Sequence, residues 1–173
     1  MAFPAATLWL TALVLTSLAR VLFAQPAPEA DAARLSEKLE RLQTRVAALR
    51  EDRRADAEAA RRGFDPRPFA DVEVCAKAAE WILRHGEFYR PAYVGYADRA
   101  LDLGLARLAE LQQGNPGWLN RPGTTVLGYV SKIDGSVQPY ALTLPEGIEP
   151  QAATRWPLYV KLHGRAAQMN EVD

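Results

Sequence analysis

The pattern of apolar residues changes several times along the chain, and each change predicts a different structure. The first apolar run, residues 8–24, has an uninterrupted part of about a dozen residues, which is the length of a signal-peptide core and short of the ~20 residues that span a bilayer. Small residues follow at its end, around Ala24. We expect residues 1–24 to be a cleaved signal peptide for secretion or export to the periplasm, with an uncleaved membrane anchor as the alternative.

The next segment is rich in charged residues and contains neither Gly nor Pro between residues 29 and 61. Five apolar residues recur in it at alternating intervals of four and three; they are Leu35, Leu39, Leu42, Val46 and Leu49. This spacing places them along one side of a helix, and we call them the leucine seam. The pattern predicts a charged amphipathic helix or linker over residues 25–65. Two uses of the seam stay open: a surface helix or stalk, or a coil that self-associates or binds a partner.

Two more amphipathic helices are predicted between clusters of Pro and Gly. The first has Asp71 as its N-cap and ends at Gly86, and the second begins near Pro91 and ends at Gly114. Because the linker between them is short, we expect them to pack as an antiparallel helical hairpin, the accessory region of residues 66–117.

The last third of the chain alternates apolar and polar residues with the period of a β-strand. Asp134-Gly135 lies between two such runs and predicts a hairpin with a type I′ turn. Pro139 removes a donor from the returning strand and indicates an edge position or a bulge. A third strand is expected over residues 156–162, directly before His163.

Composition argues against several classes of function. Lys plus Arg equals Asp plus Glu, at 21 each, so no net field favours nucleic acid or an anionic membrane. One cysteine and two histidines exclude an internal disulfide and argue against a metal site, and we expect no cofactor. Cys75 is predicted to be a buried small apolar residue, and His85 a cation at a helix C-terminus rather than a catalytic group.

The sequence carries no complete serine-hydrolase site. No G-x-S-x-G motif occurs, although that motif places the nucleophile in hydrolases of the α/β type. Ser131 and Ser136 flank the predicted hairpin turn, where turn chemistry explains Gly135-Ser136. We therefore predict no catalytic residue in this chain.

Four stretches together resemble the N-terminal region of secreted bacterial hydrolases of the prolyl-oligopeptidase-like (S9-type) α/β-hydrolase group. The resembling segment runs from about Asp71 to His163 and covers a little over half of the chain. The four stretches read DVEVCAKAAEWILRHGEFY, LARLAELQQGNPGW, GYVSKIDGSVQPYALTLPEGI and WPLYVKLHGR. The last two are the most specific, because they combine the hairpin, the Gln138-Pro139-Tyr140 strand and the Leu-His-Gly-Arg loop in family order.

The resemblance implies an incomplete α/β fold: a helical N-terminal region, then a β-hairpin and the first central strand of a hydrolase sheet, with the catalytic domain starting in residues 118–173. It implies that His163, Gly164 and Arg165 belong to the loop that helps to build the oxyanion hole through a backbone N–H, with His163 in a structural role. The family's nucleophile, acid and base have no counterparts here.

The function expected from these observations is that of an N-terminal fragment of an exported serine hydrolase. The full-length enzyme would act on peptide or ester bonds, and this chain alone would be inactive. The alternative is a small exported helical adaptor that oligomerises or binds a partner through residues 29–62.

Overall fold

A computed structural model describes residues 27–61, 63–147 and 157–162 of the protein. The expected signal peptide and the expected oxyanion-loop residues His163, Gly164 and Arg165 lie outside the described residues.

Three helices precede a two-stranded antiparallel sheet in the described part of the chain. The elements are α1 Glu29–Ala59, α2 Arg67–His85, α3 Ala92–Gln112, a short 3-10 helix Gly117–Asn120, and the strands β1 Gly123–Val130 and β2 Val137–Leu144. The predicted succession of helices and then a β-hairpin is confirmed. A hydrolase sheet, with parallel strands and crossover helices, is not present among these elements.

The leucine seam faces inward and is buried within the chain. All five of its side chains are 9% exposed or less, and they share one hydrophobic core with α2 and α3. Gly104 of α3 lets the helices approach closely, since a Cβ there would lie 2.6 Å from a terminal methyl of Leu42. α1 is therefore a packed layer of a three-helix unit, because its apolar side is covered by the other two helices.

Ion pairs fix the position of α1 along α3. The carboxylate of Asp98 accepts hydrogen bonds from Arg34 at 2.8 Å and from Lys38 at 2.7 Å, and Lys38 also pairs with Asp102 at 2.6 Å. The bond from Lys38 lowers the pKa of Asp98 below its usual value, with that from Arg34 adding to the effect. Since these groups are partly exposed, they set the register of the helices more than they stabilise them.

α2 begins one turn earlier than the sequence predicts. Pro66 is the residue before its first turn and Pro68 lies within that turn, where proline suits a helix, and Asp65 accepts the amide N–H of Arg67 at 3.0 Å. Asp71 is thus a residue of the helix, and the prediction that it is the N-cap is wrong. The predicted end is confirmed: Gly86 adopts φ 62° immediately after His85.

The β-hairpin is confirmed, but its predicted turn type is wrong. β1 and β2 pair from Gly123↔Leu144 to Val130↔Val137, so residues 131–136 connect them. A type I′ turn needs positive φ at both central residues, and of Asp134 and Gly135 only the glycine has it. The Asp134 carboxylate instead accepts the amide N–H of Ser136 at 3.1 Å, which holds a longer loop.

The predicted third strand is not formed in its described part, residues 157–162. Residues 157–162 have no regular secondary structure, and the side chains of Leu158, Tyr159, Val160 and Leu162 are 74–90% exposed. A strand needs backbone partners on a neighbouring strand, and no neighbour lies beside this segment among the described residues.

We expect Leu42→Ala to lower the free energy of unfolding by about 2–5 kcal/mol, because it removes a fully buried side chain that packs closely against Gly104 of α3. Urea denaturation measured at two protein concentrations checks this, with Glu40→Ala on the exposed side of the same helix as the control. A loss within about 0.5 kcal/mol, or an unfolding midpoint that rises with protein concentration, would contradict an intrachain role for the seam.

Candidate functional site

A buried polar cluster joins the helices to the hairpin, and we call it the Asp71 cluster: Asp71, Arg107, Trp118 and Gly128. One carboxylate oxygen of Asp71 accepts the amide N–H of Gly128 at 2.9 Å, and the other accepts the indole N–H of Trp118 at 3.0 Å. The three side chains of the cluster are only 3–5% exposed. One carboxylate thus holds the 3-10 helix and β1 against α2.

Arg107 provides the second link between helices and strand. Its guanidinium donates to the backbone carbonyl of Asp71 at 2.7 Å and to that of Val126 at 2.6 Å. The same group lies 5.6 Å from the centre of the Trp118 ring, a distance at which a cation is attracted to an aromatic face. The positive charge of Arg107 therefore sits near the buried carboxylate without forming a direct ion pair with it.

Gly128 is the point at which the strand touches the helix. A Cβ at this position would lie 2.0 Å from the carbonyl oxygen of Ala70 and 3.2 Å from the Cβ of Val74. No side chain fits there, so glycine is required by the close approach of the two backbones.

The cluster was not predicted from the sequence, although two signals indicate it. Asp71 lies on the apolar face of α2, in line with Cys75 and Ala79. Arg107 lies on the apolar face of α3, beside Gly104, Leu108 and Leu111. A charged residue on an otherwise apolar helix face indicates a buried polar partner.

Cys75 is buried, as predicted, beside the Asp71 cluster. Its thiol donates weakly to the backbone carbonyl of Asp71 at 3.9 Å. Burial raises the pKa of the thiol, although Arg107 partly opposes that effect. Because the thiolate is the reactive form of cysteine, this side chain is not a nucleophile at neutral pH.

The remaining candidates from the sequence do not assemble a catalytic site. His85 is the last residue of α2, at the helix C-terminus where the sequence places it, and it is exposed. Its ring contacts that of Trp81, with 5.3 Å between centroids. Ser136 donates its hydroxyl to Asp134 at 2.8 Å, and the Ser131 hydroxyl accepts the Ile133 amide at 3.2 Å. Both serines therefore stabilise the hairpin loop.

A groove of about 720 Å³ runs between α1, α2 and the hairpin loop. Arg50 and Glu73 form an ion pair at one part of its wall, and Trp81 and Val137 contribute apolar surface. Burial raises the pKa of Glu73, and the positive charge of Arg50 opposes the rise only in part. The groove mixes both signs of charge and does not select one sign of ligand.

A second cleft, of about 510 Å³, opens beside the Asp71 cluster. The rings of Tyr129 and Tyr140 line it in an edge-to-face contact, with centroids 6.1 Å apart. Partial burial raises the pKa of Tyr140, and the charge of Asp71 adds to the effect. Among the residues that line the cleft, no nucleophile lies next to a base.

Within the described ranges, no group of three or more His, Cys, Asp or Glu residues could hold a metal ion. None of the described helices has the length and apolar character needed to cross a bilayer. Comparison with protein-family models, curated proteins and solved structures gives no match for this chain.

We expect Asp71→Asn to destabilise the fold, because an amide offers one accepting oxygen where two N–H donors converge. One donor would then face an amide NH₂, and a buried unsatisfied donor costs about 1–3 kcal/mol. Chemical denaturation measures the loss, and Asp52→Asn, at an exposed position of α1, is the control. An Asp71→Asn protein as stable as the unmodified chain would contradict the role of this carboxylate.

We expect Glu73→Gln to raise stability at neutral pH relative to the unmodified chain. A folded-state pKa above the unfolded value means that Glu73 stabilises most when protonated, and that this contribution is lost as pH rises through the folded-state pKa. The difference between the two proteins should therefore shrink as pH falls below the ordinary pKa of glutamate. Denaturation across that pH range measures this difference in stability, with Glu37→Gln at an exposed position as the control. A Glu73→Gln protein that is less stable than the unmodified chain at neutral pH would contradict the prediction.

Proposed function

We propose that the chain is the N-terminal portion of an exported serine hydrolase that acts on peptide or ester bonds. The observation that supports this best is the order of the elements: packed helices, then an antiparallel hairpin, then an apolar segment directly before His163. The resembled S9-type hydrolases begin in the same order, with helices that precede the catalytic domain and strands that open its sheet.

The docking of β1 supports a position at the border of a sheet. The amide of Gly128 and the carbonyl of Val126 point away from β2 and are bound by Asp71 and Arg107. Another strand could not pair along this edge without breaking those bonds. A strand whose outer edge is covered in this way suits the first position of a hydrolase sheet.

In the proposed enzyme the loop after residue 162 has a catalytic task. A backbone N–H of Gly164 or Arg165 would donate to the oxyanion that forms when a serine attacks a carbonyl carbon. Small residues allow the loop to approach the substrate closely, and His163 would hold the loop through its side-chain hydrogen bonds.

The 173-residue chain is expected to be inactive by itself. A serine hydrolase needs a nucleophile, a base and an acid, and the sequence has no G-x-S-x-G motif to provide the first. The two serines of the hairpin are engaged in loop hydrogen bonds.

The alternative, an adaptor that binds through residues 29–62, gains no support from the packing of α1. The leucine seam is already buried against α2 and α3. A partner could reach it only by displacing those helices, and the exposed side of α1 is charged rather than apolar.

We expect a serine-directed fluorophosphonate probe to leave the 173-residue chain unlabelled. We also expect the reading frame downstream of the Asp173 codon to encode further strands and a G-x-S-x-G serine, and the extended product to be labelled at that serine. Ser131→Ala and Ser136→Ala variants control for adventitious reaction. A downstream reading frame without such a serine would contradict the proposal. Labelling of the 173-residue chain that Ser136→Ala abolishes would contradict the expected inactivity of that chain.

A further inference from the structure

The two edges of the sheet differ in the described structure. Hydrogen-bonding directions alternate along an antiparallel strand. Since the Gly128 amide points to Asp71 and the Ser131 amide to Ser136, the backbone groups of Val137, Pro139, Ala141 and Thr143 point away from β1. The β1 edge is bound by side chains of the helical unit, whereas no described strand pairs with the outer edge of β2.

An apolar surface accompanies this open edge. Residues opposite one another in the register share a face of the hairpin, and one face carries Val126 and Val130 of β1 with Pro139 and Ala141 of β2. All four are exposed. The open edge and the apolar face are continuous.

The segment Leu158–Leu162 has the pattern that such an edge requires. Leu158, Val160 and Leu162 alternate with Tyr159 and Lys161, so an extended chain would have one fully apolar face. In the structure this segment is undocked, and its large apolar side chains are among the most exposed of the described residues.

We propose that Leu158–Leu162 binds along the outer edge of β2 as the third strand of the sheet. Residues 145–157 connect β2 to this segment. At roughly 3.3 Å per residue they can extend to about 43 Å, beyond the ~26 Å length of an eight-residue strand, so both strand directions are within reach. The inference concerns this chain whether or not the hydrolase proposal holds.

The chain's own segment fits this edge better than a second copy does. Pro139 has no N–H to donate, so in a symmetric pair of β2 strands it would leave two hydrogen bonds unmade. Leu158–Leu162 contains no proline, and only one bond is lost when it pairs with β2. The tether also keeps the segment at a millimolar effective concentration, which a second copy at micromolar concentration does not reach.

Amide hydrogen exchange by NMR on the full 173-residue chain tests the proposal. The amides of Ala141 and Thr143, which point away from β1, should exchange slowly. Val160→Pro removes a donor and the extended geometry, and should speed their exchange by about tenfold. Val160→Thr keeps both features and should leave it unchanged, while the Gly128 amide, bound to Asp71, should stay protected in all three proteins and report that the fold is intact.

Three results would overturn the proposal. The first is exchange of the Ala141 and Thr143 amides at the rate of an unstructured peptide in the unmodified chain. The second is slow exchange that Val160→Pro does not change, and the third is protection that grows with protein concentration, which would assign the edge to a second copy. None of these results depends on labelling by the phosphonate probe, so this proposal and the hydrolase proposal fail separately.

Discussion

Asp71 of α2 connects three elements through its carboxylate. One oxygen accepts a hydrogen bond from Trp118 of the 3-10 helix, and the other accepts one from Gly128 of β1. Arg107 of α3 completes the connection by bonding the backbone of α2 and of β1. A two-stranded hairpin is at best marginally stable in water. β1 is held here because its edge is bonded by these two side chains, and because Leu127 inserts into the hydrophobic core. The position of the hairpin therefore depends on one buried polar cluster.

The cluster also imposes conditions on its neighbours. A buried carboxylate is stable where each oxygen has a donor, as in Asp71. The two terminal nitrogens of Arg107 each have a carbonyl acceptor, whereas its buried Nε has no partner. Gly128 has to lack a side chain so that its amide can reach Asp71 past the carbonyl of Ala70. Cys75 is buried beside these groups, and that burial raises the pKa of its thiol and so keeps it protonated. Burial is therefore the cause both of the packing of Cys75 and of its low reactivity.

Periodicity predicted the elements correctly wherever one local rule decided the outcome. The four-three spacing of the leucine seam, the glycine after His85 and the alternation on both sides of Gly135 each belong to a single helix or hairpin. The start of α2 and the turn of the hairpin were predicted wrongly, and the strand expected over residues 156–162 is not formed in the described residues 157–162, since each depends on partners elsewhere. Aspartate is a common N-cap residue. Only the fold shows that the carboxylate oxygens of Asp71 accept hydrogen bonds from Trp118 and Gly128 instead. In the sequence, the only sign of this long-range cluster is one charged residue on the apolar face of each helix, Asp71 in α2 and Arg107 in α3.

The asymmetry of the sheet edges follows from the same cluster. Asp71 and Arg107 bind two outward backbone groups in the middle of β1, the Gly128 amide and the Val126 carbonyl, so an additional strand pairs with β2 without breaking these bonds. Pro139 lies in the middle of that remaining edge and removes a donor from it, which weakens pairing with foreign strands without preventing it. A sheet anchored in this way can grow in one direction only. The helical unit is thus more than a neighbour of the hairpin, because its two buried charges decide which strand is the border of the sheet.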